Sequence, residues 1–132
     1  MLDEVRVVSL PSVVDARGVL TAIEGTRDIP FEMKRVFYMH HIKSDRGGHA
    51  HRDTDQIVIA ASGSFTMELF DGKEYKSFAM NDPAKGVYIP RMIFIRMFDF
   101  THDSVCLVIA NTYYDITRSF RTQEAYLDFL NQ

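Results

Sequence analysis

Along much of the chain, apolar and polar side chains alternate with the period of two that marks half-buried strands. The clearest case is Phe65, Met67 and Leu69, interleaved with Thr66 and Glu68. Runs rich in β-branched and aromatic residues, cut by Gly, Pro, Asn and Asp, predict eight or nine short strands. They fall at residues 5–9, 19–24, 35–42, 56–61, 64–69, 74–78, 86–89, 93–98 and 104–111. Ser62-Gly63 and Asp71-Gly72 supply the positive-φ residues that hairpins need. Residues 56–61 and 105–110 are apolar nearly throughout, which predicts strands buried on both faces or lining an internal cavity. The tail changes period. Thr122 can cap a helix that puts Tyr126, Phe129 and Leu130 on one face. The pattern as a whole predicts an all-β antiparallel sandwich or small barrel with a short C-terminal helix. Small sandwiches expose edge strands, and exchange of such a strand between two copies covers them, so a homodimer is expected, strand-swapped in form.

Composition narrows the function. The chain has 132 residues with no linker or repeat, which predicts a single domain over 1–132. Fifteen basic and eighteen acidic side chains give a net charge of −3, a poor balance for a nucleic-acid partner. No apolar run approaches the ~18 residues of a membrane span. The start, Met1-Leu2-Asp3-Glu4, lacks the basic and apolar pattern of a secretion signal. Cys106 is the one cysteine and has no partner in the chain, which fits a reducing cytoplasm.

Four of the five histidines lie in one stretch: His40, His41, His49 and His51. His49-Ala50-His51 is the sharpest feature. On a strand, residues i and i+2 face the same way, so the two imidazoles share one space, roughly 6–7 Å apart at Cα. Such a pair serves metal ligation or proton transfer on a bound substrate. Arg46-Gly47-Gly48 precedes the pair, and a second Arg-Gly occurs at Arg17-Gly18. A guanidinium beside glycine backbone suits a phosphate. His40 and His41 are adjacent, so a strand turns them to opposite faces, and both are read as structural or exposed. His102 lies in a polar turn and is read as solvated. Met33 and Met39 are read as core filler.

The spacing resembles the first cupin motif: His49, His51, four residues, Gln56, six residues, Gly63. Lys43 stands where that motif has its leading Gly, and Gln56 stands where it has a metal-binding Glu. In the second motif, counted from Pro90, Met92, Ile95 and Asp99 occupy the Gly, His and Asn positions. Only two of the usual four ligands remain, so the resemblance is to the metal-free cupins that act on nucleotide sugars. The fuller match is to the dTDP-4-dehydro-6-deoxyglucose 3,4-ketoisomerase, or WxcM-like, family. It is carried by Lys34-Arg35-Val36-Phe37-Tyr38, Arg46-Gly47-Gly48-His49-Ala50-His51, Gly86-Val87-Tyr88, Met97-Phe98-Asp99-Phe100 and Tyr113-Tyr114-Asp115. Phe94-Ile95-Arg96 departs from the family's usual Trp-His-Glu.

The resemblance implies a cupin jelly roll, no metal and no other cofactor, and a dTDP-linked 4-keto-6-deoxy sugar as substrate. The implied reaction moves the ketone from C4 to C3 through an enediol. His49 is implied as the base at carbon and His51 as the second acid/base. Arg46 is implied to hold the pyrophosphate and Arg17 a phosphate or the pocket border. Tyr38 and Tyr88 are implied to stack on thymine or line the sugar, and Asp99 to be a hydrogen-bond partner. The product's use is expected in deoxyamino-sugar synthesis for O-antigen or S-layer glycans, where an aminotransferase takes the 3-ketone. Arg17 matches family members with a galacto product, and Ile95 matches neither product class. The alternatives are a dTDP-sugar 3,5-epimerase, and a non-catalytic sugar-nucleotide-binding cupin suggested by Ile95 and Arg96.

Overall fold

The structure, a computed structural model, describes residues 1–132. Twelve strands precede one helix. In chain order they are β1 (Arg6–Ser9), β2 (Ser12–Asp15), β3 (Gly18–Thr21), β4 (Arg35–Met39), β5 (Arg46–His51), β6 (Gln56–Ser62), β7 (Phe65–Phe70), β8 (Tyr75–Met80), β9 (Lys85–Ile89), β10 (Phe94–Phe98), β11 (Val105–Ala110), β12 (Ser119–Phe120) and α1 (Gln123–Leu130). One five-stranded sheet runs β1-β9-β6-β11-β4, a second runs β12-β5-β10-β7-β8, and β2 and β3 form a separate hairpin. Every ladder is antiparallel. This is the expected sandwich with a C-terminal helix.

The main core lies between the sheets. Val58 and Ala60 of β6, Cys106 and Val108 of β11, and Val87 and Ile89 of β9 meet Met67, Leu69, Ile95 and Met97 of the second sheet. The period-two reading of β7 holds, with Phe65, Met67 and Leu69 buried. Strands β6 and β11 are buried on both faces because a second cluster covers the outer side of their sheet. There Ile57, Ile59 and Ile109 pack under Leu10, Ile29 and Phe31. Cys106 is fully buried, donates to the Met97 sulfur at 3.8 Å, and has its thiol pKa pushed up to about 12 by burial.

A third cluster joins α1 to the outer face of the second sheet. Tyr126 is fully buried among Ala50, Phe70, Phe94 and Phe120, and its hydroxyl donates to the Met92 carbonyl at 2.7 Å. Thr122 caps the helix as expected, its hydroxyl accepting from the Ala125 N–H.

Three expectations are corrected. Ser62-Gly63 does not close a hairpin. Strands β6 and β7 belong to different sheets, so Gly63, at φ +64°, turns the chain from one layer to the other. Asp71-Gly72 does close one, between β7 and β8. Strands β2, β5 and β12 were not among the predicted runs, and β4 ends at Met39 rather than at residue 42. His40 and His41 do not point apart. The chain has left the strand, His41 takes φ +51°, and the two Nδ1 atoms lie 2.6 Å apart on the surface. His102 is exposed, as expected.

The hairpin β2–β3 stands away from both sheets. Val13 and Leu20 pair across one face and Val14 and Val19 across the other, and all four are at least 63% exposed. An isolated two-stranded ribbon with apolar residues on both faces is marginal in water.

Candidate active site

Strand β5 carries the His-x-His pair, and its start explains the glycines. Met97 opposes Arg46 and Arg96 opposes Gly47, but Ile95 opposes His49, so Gly48 is an extra residue in the ladder. That is a β-bulge. Gly47 and Gly48 both have positive φ, at +85° and +74°. The bulge has a functional result. Arg46 and His49 are three apart, and an unbroken strand would turn them to opposite faces. The extra residue puts both on the inner face. A Cβ at Gly47 would stand 2.6 Å from the Ile95 carbonyl oxygen, whereas one at Gly48 meets nothing within 4 Å. Gly47→Ala is therefore expected to destabilise the fold by about 2–4 kcal/mol, and Gly48→Ala by only about 1–2 kcal/mol for its left-handed backbone. Urea unfolding of the two variants checks this, and equal losses would contradict it.

Two adjoining cavities open between the sheets. The larger, about 350 Å³, is lined by Arg46, Gly47 and His49 of β5, by Phe37, Met39, Gln56, Val58, Ile95, Met97 and Val108, and by Asp45 and Arg121 at its rim. The smaller, about 190 Å³, is lined by His51, Arg35, Tyr113, Tyr114 and Arg121 among others. Arg121 borders both. The imidazoles of His49 and His51 meet edge to face, with centroids 4.7 Å apart.

Both histidines are held neutral. Burial lowers the pKa of His49, the positive Arg121 and Arg46 add to that, and a backbone hydrogen bond at Gly47 works the other way. His51 is pushed down to about 4, first by burial and then by His49, Arg35 and Arg121. Neutral imidazoles in an apolar recess can accept protons. Arg35, Arg46 and Arg121 are in no ion pair, while Arg118 beside them is held by Asp53. The uncompensated guanidiniums of Arg46 and Arg121, which share the larger cavity, suit a diphosphate. No group of three or more His, Cys, Asp and Glu side chains is placed to hold a metal ion. Gln56 and Ile95 occupy the wall where the cupin motifs have ligands.

The structure brings together His49, His51 and Arg46 but not the other expected residues. Tyr38 is on the outer face of β4, exposed and 5.6 Å from the His40 ring. Its neighbours Phe37 and Met39 take the inner face instead. Tyr88 is on the outer face of β9, against Phe31 and under Arg6. Asp99 lies past the end of β10, exposed, at φ +56°, and lines neither cavity. Arg17 is at the hairpin tip, 90% exposed and paired with Asp15 at 2.8 Å. Arg35 and Arg121 were not expected. Their one sequence signal is that Arg35 alternates with Phe37 and Met39, which fixes them to one face once either is known to point inward.

A jelly-roll sandwich with paired neutral imidazoles in a cationic recess is the frame of a cupin-type isomerase. The model of the family described as "WxcM-like, C-terminal" matches residues 3–131. The curated TDP-4-oxo-6-deoxy-alpha-D-glucose-3,4-oxoisomerase of Aneurinibacillus thermoaerophilus is 34% identical over 129 residues, covering 96% of this chain and 93% of that protein. Among solved structures, QdtA, a sugar 3,4-ketoisomerase from Thermoanaerobacterium thermosaccharolyticum in complex with TDP, is 38% identical at TM-score 0.94, covering 99% of this chain and 97% of that one. A histidine-to-asparagine mutant of QdtA in complex with TDP-4-keto-6-deoxyglucose matches at 38% identity and TM-score 0.93, over 98% and 95%. The chain belongs to the WxcM-like family of sugar-nucleotide 3,4-ketoisomerases. No helix of the structure is long and apolar enough to cross a membrane.

Proposed function

We propose that the chain converts dTDP-4-dehydro-6-deoxy-D-glucose to dTDP-3-dehydro-6-deoxy-D-galactose without a cofactor. The observation that carries this is the pair His49 and His51, neutral, with ring centroids 4.7 Å apart and each lining one of two adjoining cavities. The relatives solved with TDP and with TDP-4-keto-6-deoxyglucose support the substrate. The ketone at C4 acidifies the C3 proton. His49 takes that proton, and an enediolate forms with its charge on O4. His51 moves the O3 proton to O4, and His49 returns its proton to C4, leaving the ketone at C3. His49, which faces the apolar wall of the larger cavity, is assigned to the carbon steps, and His51 to the transfer between oxygens. Arg46 and Arg121 hold the diphosphate at the rim. The apolar wall of Val58, Ile95, Met97 and Val108 keeps water from the enediol.

Proton NMR of the purified chain with this sugar nucleotide is expected to show a 3-keto product. Its H4–H5 coupling, read in H2O, is small for the galacto and large for the gluco configuration. Exchange at C3 and C5 in D2O without ketone migration would favour the epimerase. Tight binding without any change would favour a binding module.

The same reading includes a homodimer. Strand β4 is a sheet edge that exposes Val36 and Tyr38, and the β2–β3 hairpin is an apolar ribbon without cover. A hairpin from a second copy on that edge covers both. Because β4 carries Phe37 and Met39 into the larger cavity, this docking brings Arg17 toward the partner's site. Light scattering is expected to give twice the 15.2 kDa of one chain, and a 15.2 kDa species overturns the dimer. The reading also places the enzyme in the cytoplasm, ahead of an aminotransferase acting on the 3-ketone.

A further inference from the structure

We propose that Arg35 and Gln56 are two further catalytic groups, which grip the pair of oxygens between which the carbonyl migrates. The proposal deepens the ketoisomerase reading and rests on it.

The two side chains belong to one transverse row of the first sheet. Ala110 of β11 opposes Arg35 on one side and Gln56 on the other. With strands spaced about 4.8 Å apart, Arg35 and Gln56 stand roughly 10 Å apart at Cα and flank the methyl group of Ala110. Across the gap, β5 presents the histidines. Gln56 shares the larger cavity with His49, and Arg35 shares the smaller with His51. Each histidine therefore has one polar group from the facing sheet beside it, over a floor kept low by an alanine.

Neither polar side chain makes a hydrogen bond within the fold. Gln56 is only 4% exposed, yet no hydrogen bond of its side-chain amide occurs among those of the chain, in contrast to its neighbours Asp55 and Asn111, which bond each other. The Nε atom of Arg35 is buried without a partner. Its guanidinium is held over Phe37 and near Tyr114, with the carbon 5.1 Å and 5.5 Å from the ring centroids. A buried polar group left unpaired, as the Arg35 Nε is, costs about 1–3 kcal/mol. A methionine or leucine at position 56 would line the same wall without a polar group to satisfy. An amide with free valences aimed into a cavity is spent on something that enters it.

The chemistry of the two groups fits the reacting atoms. An amide offers both a donor and an acceptor. The substrate presents a ketone, which accepts, next to a hydroxyl, which donates, and the reaction exchanges those roles. Gln56 can serve both ends of the reaction without gaining or losing a proton. Being neutral, it also leaves the imidazole base unquenched, which a glutamate in the same place would not. The guanidinium of Arg35, which lines the smaller cavity, donates through its terminal N–H groups to the oxygen that carries negative charge in the enediolate, in a recess from which water is displaced.

The test uses the full chain with Gln56→Met, which keeps volume, and Arg35→Lys, which keeps charge but loses the planar fork of donors. The affinity for dTDP alone reports folding and the nucleotide subsite. It is expected to stay within about 3-fold of wild type in Gln56→Met, whereas kcat on dTDP-4-dehydro-6-deoxyglucose falls ~10²-fold or more with a smaller change in KM. Arg35→Lys is expected to lose at least ~10-fold in kcat on the same criterion. Gln56→Met with normal dTDP affinity and kcat within 3-fold of wild type overturns the role of the amide. A wild-type chain that binds dTDP but does not convert the sugar nucleotide overturns the ketoisomerase reading, and the clamp with it. If Gln56→Met fails to bind dTDP, Gln56→Leu decides by the same pair of measurements, since it removes the donor and the acceptor without adding charge. Full activity in that variant overturns the proposal.

Discussion

Replacing His49 or His51 by asparagine is expected to lower turnover by ~10³-fold, the usual weight of a general acid or base. Asparagine roughly preserves polarity and reach, so the loss is assigned to proton transfer and dTDP binding should persist. The two variants are expected to differ in D2O. His49→Asn loses exchange of the C3 proton together with turnover, whereas His51→Asn retains some exchange while ketone migration stops. The reverse pattern exchanges the two roles, and full activity in both variants sinks the mechanism. The same histidines set an acid limit on stability. Folded, both have pKa values below the 6.5 of an unfolded chain, His51 at about 4. The unfolded chain therefore binds more protons as pH falls below 6.5, and stability declines from there until the folded value is passed. Urea melts of wild type at pH 7 and pH 5 should show this loss, and His51→Asn should show less of it.

Tyr126→Ala is expected to cost about 3–5 kcal/mol, a large fraction of the stability of a domain this size. The side chain is fully buried, its ring lies 5.6 Å from that of Phe94, and its hydroxyl ties Met92 to the helix. Tyr126→Phe keeps the packing and loses the hydrogen bond, so its cost is nearer 1–2 kcal/mol. The effect should reach the site. Ala50 and Phe94 of the helix-facing cluster alternate with His49, His51 and Ile95 on the same two strands. Denaturant unfolding measures both variants, and a Tyr126→Ala loss below 1 kcal/mol would show that the helix contributes little.

The strands with strong alternation were legible in the sequence, and so was the helix, because Thr122 and Tyr126 follow local rules. Strand β5 was less so. Arg46-Gly47-Gly48-His49-Ala50-His51 contains no β-branched residue and two glycines, and its pairing is imposed by β10 and β12. The bulge was invisible for the same reason, since nothing local says which glycine is extra. The histidine pair was legible from its spacing alone. The aromatic candidates were not, because in Arg35-Val36-Phe37-Tyr38-Met39 both phases carry apolar side chains. The choice of Phe37 over Tyr38 for the interior is made by the facing sheet. Tyr88 was hidden likewise, since its strand is buried on both sides and the covering segment, with Phe31, is distant in sequence. Gln56 looked like a missing ligand, and its unpaired amide could be seen only in the packed structure.

The sealed position of Cys106 makes this chain a convenient object for spectroscopy. A lone thiol that is fully buried, with its pKa near 12, offers almost no thiolate to a maleimide or methanethiosulfonate reagent at neutral pH. A cysteine introduced on the surface would therefore carry a label alone, with the native residue left in place. At the tip of the β2–β3 hairpin, such a label would test the proposed dimer, since a spin–spin distance arises only if two copies associate.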